Sequence, residues 1–278
     1  MYRSLLTYAD GTAGQTERLQ VAAQLATSFG AHLIGTAACG GPEMDMLIMG
    51  SAALSILPGL NYEPVREAAR IALSDFDAEA ARMGIESREQ RLAESSLETA
   101  LVLQSRYCDL VIASETIPPP TYVLTAGDLA GYLALHCARP VIVVPRNGAP
   151  LPIGKRIVIA WNGSAEASKA VAAAMPILRR ADSVQLVVCN PDASPAMHGQ
   201  EPGADLAQYL ARQDIDVTVR CIQSEDDVGV ALHRKAHDTR SDMIVAGAYG
   251  HSRLHGLILG GATRSLLGEM KVPVMLTH

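Results

Sequence analysis

Arg156-Ile157-Val158-Ile159-Ala160-Trp161-Asn162-Gly163-Ser164 is an apolar run that ends on an amide, a glycine and a hydroxyl, and an Ala-rich helical stretch follows at 166–178. The same plan stands near the N-terminus, where Ser4-Leu5-Leu6-Thr7-Tyr8-Ala9-Asp10-Gly11-Thr12 leads into a helical stretch at 15–27. A second apolar run comes next in both places, at 32–39 and at 184–189. Later, Asp109-Leu110-Val111-Ile112-Ala113 matches Asp242-Met243-Ile244-Val245-Ala246, and Arg139-Pro140-Val141-Ile142-Val143-Val144 matches Val272-Pro273-Val274-Met275-Leu276-Thr277. These late matches share one offset, so the loops between them have equal length. The chain is an internal repeat.

Short, continuously apolar runs alternating with amphipathic helical stretches indicate parallel strands buried on both faces. The first half reads as strands at 4–9, 32–38, 85–90, 109–113 and 140–145, with helices at 14–28, 63–83, 96–106 and 128–137. The second reads as strands at 156–161, 183–189, 217–222, 242–246 and 273–277, with helices at 165–179, 203–213, 227–238 and 262–269. Between them, Arg146-Asn147-Gly148-Ala149-Pro150-Leu151-Pro152 stops regular structure with Gly and Pro. The expected fold is α/β, with two tandem doubly wound domains at 1–147 and 153–278. Each is expected to hold a five-stranded, mainly parallel sheet flanked by helices. In such sheets ligands sit beyond the carboxyl ends of the strands, where the strand order reverses. The ends of the first and fourth strands are the expected positions, and in the second half they carry Asn162 and the segment 247–261.

That segment is rich in glycine: Ala246-Gly247-Ala248-Tyr249-Gly250, nine residues, then Gly260-Gly261-Ala262-Thr263. Glycine lets backbone approach a ligand without a Cβ in the way, and free N–H groups at a helix start attract anions. Strand, glycine-bearing loop and helix start together make a phosphate cradle, although turns also need glycine.

With the strand-end Asp or Asn-Gly-Ser/Thr of both halves and this loop, the chain resembles the universal stress protein (UspA-type) family in its tandem two-domain form, over essentially its whole length. Nucleotide-binding members carry Gly, two residues, Gly, nine residues, Gly, then Ser or Thr. Gly247, Gly250 and Gly260 fit that spacing, and Gly261 stands in the hydroxyl position. The resemblance implies ATP as ligand, with ADP or AMP as alternatives, its phosphates on the loop and its adenosine end facing Asn162, where the family carries an acidic residue. The implied nucleotide-binding set is Asn162, Ala246, Gly247, Gly250, Arg253, Gly260, Gly261, Ala262 and Thr263. Thr263 is a replacement hydroxyl, and Arg253 is either a phosphate donor or a solvated loop residue. In the first half the equivalent loop positions are Ser114, Ile117, Gly127 and Asp128, and Pro118-Pro119-Pro120 removes three backbone donors. Asp128 would set a carboxylate where a phosphate should lie, so the first half is not expected to bind ATP in the family manner.

A formal net charge of −6 without any basic cluster argues against a nucleic-acid partner. Five cysteines without a CxxC indicate neither a disulfide framework nor a zinc ribbon, and Cys39 and Cys189 read as small buried thiols. The N-terminus enters a strand at once, and no apolar stretch reads as a membrane span, so a cytoplasmic location is expected. His251 and His255 stand four apart, but nothing nearby in sequence completes a metal site, and no metal is assigned. Ser164 and Thr12 are expected to cap the helices that follow them, and Glu225-Asp226-Asp227 to decorate a helix start. No nucleophile elbow, Walker loop or HExxH helix occurs, and no catalytic residue is assigned.

The leading reading is a nucleotide-binding regulatory stress protein. The alternatives are a non-nucleotide-binding interaction or scaffold module, working through the Met- and Leu-rich insertion 44–60 (otherwise a covering helix), and a slow ATPase. Family members pair through their last strands. The resemblance therefore implies an intramolecular pseudo-dimer, Val141-Ile142-Val143-Val144 against Val274-Met275-Leu276-Thr277, with a homodimer of two chains also open.

Overall fold

The computed structural model describes residues 1–41, 63–116, 128–193, 200–248, 261–268 and 270–278. The insertion 44–60, the prolines 118–120, Ile117 and Gly127, and loop residues Gly250, Arg253 and Gly260 with His251 and His255 lie outside them. The chain forms two compact units. One is Met1–Ala113 with Cys137–Arg139, and the other is Ser114–His136 with Pro140–His278.

In the first unit β1 (Ser4–Tyr8), α1 (Gly14–Phe29), β2 (His32–Ala38), α2 (Glu63–Arg82), β3 (Arg88–Ala93), α3 (Leu97–Gln104) and β4 (Leu110–Ser114) follow one another, β4 ending at the division. Strand order is β3-β2-β1-β4, and every pairing is parallel. Leu5, Leu6, Leu33, Leu110 and Val111 are fully buried, as strands covered by helices on both faces require.

The third strand begins at Arg88, not at the expected residue 85. Ile85 is apolar but belongs to the stop of α2. Gly84, at φ +77°, donates its N–H to the Ala81 carbonyl, and Ile85 donates to the Ala80 carbonyl. These paired bonds close the helix end in a left-handed turn, and the buried Ile85 side chain seals it. Apolarity alone cannot tell such a seal from a strand start.

The second unit holds α4 (Leu129–His136), β5 (Val141–Val144), β6 (Arg156–Ala160), α5 (Ala165–Leu178), β7 (Ser183–Cys189), α6 (Ala204–Ala211), β8 (Val217–Ile222), α7 (Val228–Asp238), β9 (Met243–Gly247), α8 (Gly261–Leu267) and β10 (Val274–Thr277). Strand order is β5-β10-β9-β6-β7-β8. All pairings here are parallel except one: β5 runs antiparallel to β10, with Val143 opposite Val274, Ile142 opposite Met275 and Val141 opposite Leu276. The two last strands of the repeat therefore pair directly. Among the described residues five strands fall in each half of the sequence, and the fifth of the first half lies in the second unit. No helix among the described residues is long and apolar enough to cross a membrane.

One device recurs at the same repeat position. Asp109 and Asp242 each precede the fourth strand of their half and reach across to the entry of the first. The Asp109 Oδ2 accepts N–H bonds from Arg3 (2.6 Å) and Ser4 (3.0 Å). The buried Asp242 carboxylate accepts from Gly154 (2.7 Å), Lys155 (3.1 Å to each oxygen) and Arg156 (2.9 Å). Burial pushes the Asp242 carboxyl above its ordinary range, and the three N–H donors pull it back.

Candidate functional site

Strand order reverses between β6 and β9, which lie side by side with Ala160 opposite Ala246. Their carboxyl ends open on a cavity of about 290 Å³. β6 contributes Ala160 and, just past its end, Trp161 and Asn162, and β9 contributes Ala246 and Gly247. The end of β7 adds Val187, Cys189 and Asn190, and helices α7 and α8 close the wall with Val228, Leu232, Ala262, Thr263 and Leu266.

Local chemistry fixes the β6 corner. The Asn162 Oδ1 accepts the Ser164 N–H at 3.1 Å, Gly163 takes φ +75°, and the Ser164 hydroxyl accepts the Ala167 N–H at 3.1 Å. The side chains of Asn162 and Ser164 thus form a turn and a helix cap in succession. Because its oxygen is held by a donor, the exposed Asn162 side chain presents its amide N–H₂ outward. A ligand meets a hydrogen-bond donor there, where an aspartate would offer only acceptors.

Gly247 is demanded by packing. A Cβ at this position would lie 2.4 Å from the Ala167 nitrogen and 2.6 Å from the Glu166 carbonyl carbon. The end of β9 passes directly against the first turn of α5, and only glycine fits. Gly261 differs, since a Cβ added there meets nothing within 4 Å among the described residues. It starts α8 but does not line the cavity.

The β7 corner is held by Asn190, a non-glycine residue at φ +48°. Asparagine tolerates this left-handed conformation better than most residues. Its side chain donates to the Ser224 carbonyl (3.0 Å) and accepts the Ser224 N–H (2.8 Å), tying the end of β7 to the loop after β8. Burial pushes the Cys189 thiol up to about 11, so it is a protonated thiol at neutral pH.

Behind the cavity, the buried His233 of α7 hydrogen-bonds the Leu266 carbonyl of α8 through Nε2 at 2.8 Å. A carbonyl only accepts, so Nε2 carries the proton. Nδ1 is buried with no hydrogen-bond partner among the described residues. Burial lowers the pKa of His233 below 6.5, the Leu266 carbonyl and Glu115 opposing and Lys271 assisting. The folded state therefore binds this proton less readily than the unfolded chain does. The stabilisation is complete above the unfolded value and is lost as pH falls through the depressed folded one. Thermal unfolding followed from pH 7.5 down to pH 5 should show the native protein losing Tm more steeply than a His233→Gln variant.

Sequence reasoning placed Asn162, Ala246, Gly247, Ala262 and Thr263, and all five line this cavity. It missed Trp161, Cys189, Asn190 and the helix residues Leu232 and Leu266. The strand-order rule, extended to the second strand beside the switch point, would have reached Cys189 and Asn190.

The first-half counterparts are engaged internally. Asp10 receives an ion pair from Arg18 at 3.0 Å and accepts both the hydroxyl (2.9 Å) and the N–H (3.2 Å) of Thr12. Arg18 is 1% exposed, donates to the Tyr8 carbonyl at 2.8 Å and lies 3.5 Å over the Tyr8 ring centroid. The Gln15 Oε1 accepts the N–H groups of Asp10 and Gly11, each at 2.9 Å. Thr12 does not cap α1: its hydroxyl donates to Asp10, and Ala13 stands at the cap position with no side-chain cap hydrogen bond. In the second unit, the buried Asp128 caps α4. Its Oδ1 accepts the Gly131 N–H at 3.0 Å and the Thr116 hydroxyl at 3.1 Å.

Residues 154–278 match the model of the Universal stress protein family. This half of the chain is a universal stress protein domain. The likeness of fold extends over the whole chain. A universal stress protein from Archaeoglobus fulgidus DSM 4304 superposes with a TM-score of 0.74 at 14% identity, covering 99% of this chain and 95% of that one. A functionally unknown protein from Pseudomonas aeruginosa PAO1 superposes at 0.62 with 17% identity, covering 99% and 92%. A universal stress protein solved in complex with cAMP aligns over 52% of this chain and 98% of its own at 18% identity, with a TM-score of 0.38. No curated protein matches. The tandem universal stress protein fold thus covers both halves, and the family match falls on the half that holds the cavity.

Proposed function

We propose that this universal stress protein binds one adenine nucleotide, ATP or the related ADP or AMP, in the cleft of its C-terminal domain, and acts as a regulatory stress-response module. The observation that carries the reading is the convergence of Asn162, Gly247 and Thr263, from three different elements, on one cavity at the strand-order reversal. Val187, Leu232 and Leu266 give it apolar walls suited to a flat base, and Asn162 offers a side-chain donor at its mouth. In this reading Gly250, Arg253, Gly260 and Gly261 serve the phosphate end. Binding is restricted to one site because Asp10 and Asp128 are already engaged by Arg18 and by the start of α4. The protein is read as cytoplasmic, with domains 1–147 and 153–278 forming an intramolecular pseudo-dimer, which the β5–β10 pair supports.

Trp161 is the single tryptophan of the chain and lines the cleft. Its fluorescence should change saturably on titration with ATP, ADP or AMP, and calorimetry should give one site per chain. Asn162→Ala should weaken binding by about fivefold to tenfold, the worth of one hydrogen bond. A flat titration with folded protein at roughly 5 mM nucleotide, which means no affinity tighter than millimolar, would sink the reading.

A further inference from the structure

Trp161 also lines a second cavity, of about 300 Å³, which the nucleotide reading does not use. Ser168, Val171 and Ala172 of α5 and Asp205, Leu206 and Tyr209 of α6 supply the rest of its lining. Val171 and Leu206 are buried and form an apolar floor. Four of the lining residues carry polar side-chain groups: the Trp161 indole N–H and, on exposed residues, the Ser168 and Tyr209 hydroxyls and the Asp205 carboxylate. None of the four has a hydrogen-bond or ion-pair partner among the described residues. Among the described residues that line it Asp205 alone is charged, so the cavity is anionic and unsuited to a phosphate. Two aromatic side chains beside an unpaired carboxylate are the chemistry that holds an ammonium group, through the ring faces and through direct charge attraction.

We propose that this cavity binds a small organic cation, an ammonium group on a short aromatic or apolar body. Asp205 faces the charge, Trp161 and Tyr209 flank it, and Val171 and Leu206 receive the body. The proposal does not rest on the nucleotide reading, although Trp161 lines both cavities. Phenethylammonium is the probe, titrated into the full chain by calorimetry with Trp161 fluorescence as a second readout. Saturable binding is expected, weakened about fivefold to tenfold by Asp205→Asn and by Tyr209→Ala with circular dichroism unchanged. The uncharged isostere 2-phenylethanol should bind at least about tenfold more weakly to the unaltered protein, which tests the charge requirement without a variant. Absence of saturation by about 10 mM phenethylammonium overturns the proposal, as does equal binding of the uncharged probe or an affinity untouched by Asp205→Asn.

Discussion

Asp242→Ala should lower the stability of the second unit by about 3 kcal/mol and its Tm by roughly 10 °C. The carboxylate gathers the N–H groups of Gly154, Lys155 and Arg156 at the point where the chain enters β6. Alanine leaves those three donors without their acceptor in a corner where the side chain itself is buried. Asp242→Asn should fall between the two, because the amide keeps one accepting oxygen and turns its N–H₂ toward donors. Asp109→Ala should cost less, since only two N–H groups depend on it and Arg3 is exposed. Thermal and denaturant unfolding of the three variants checks the ranking. Equal, small losses for Asp242→Ala and Asp109→Ala would show that the β6 entry is held by strand pairing alone.

Gly247→Val should be nearly as damaging, at about 2–4 kcal/mol, and should abolish binding in the cleft as well. The atoms its Cβ would strike belong to the backbone of Glu166 and Ala167, so no rotamer change relieves the clash. The first turn of α5 must retreat, and the Asn162-Gly163-Ser164 turn that feeds it moves too. Gly261→Ala, in the same glycine motif, should leave stability unchanged or raise it by about 0.5 kcal/mol, because the added methyl meets no atom of the described residues. Thermal unfolding of both variants, followed by nucleotide titration, separates a glycine kept for packing from one kept for approach to a ligand. Equal tolerance at the two positions would remove the packing argument.

The repeat made the architecture legible, because parallel strands covered on both faces need unbroken apolar runs such as Ile157-Val158-Ile159. Matching motifs also located Asp109 and Asp242, but not their task, since a carboxylate that collects backbone N–H groups leaves no pattern of its own. Ile85 was misread because sealing a helix end and starting a strand call for the same side chain. The cleft was legible at Asn162, Ala246, Gly247, Ala262 and Thr263, which belong to one motif or stand at a strand end. Trp161, Asn190 and Leu266 come from three separate elements, and only the folded chain brings them together. Arg18 was overlooked for a similar reason: a cation within an Ala-rich helix reads as solvated until Tyr8 and Asp10 are placed against it. Its repeat counterpart, Ala170, has neither charge nor reach.

The antiparallel contact of β5 with β10 decides what can be cut away from this molecule. A fragment beginning at residue 153 would keep every strand of the cleft yet strip β10 of its outer neighbour. The main-chain N–H and C=O groups of Val274, Met275 and Leu276 would then lose their β5 partners along an open border whose side chains are all apolar. Such a border recruits another strand, and a second fragment carrying the same border is the nearest supply. In the intact chain, residues 141–144 act as a tethered stopper, so the linker that joins the repeats also suppresses self-association at that border.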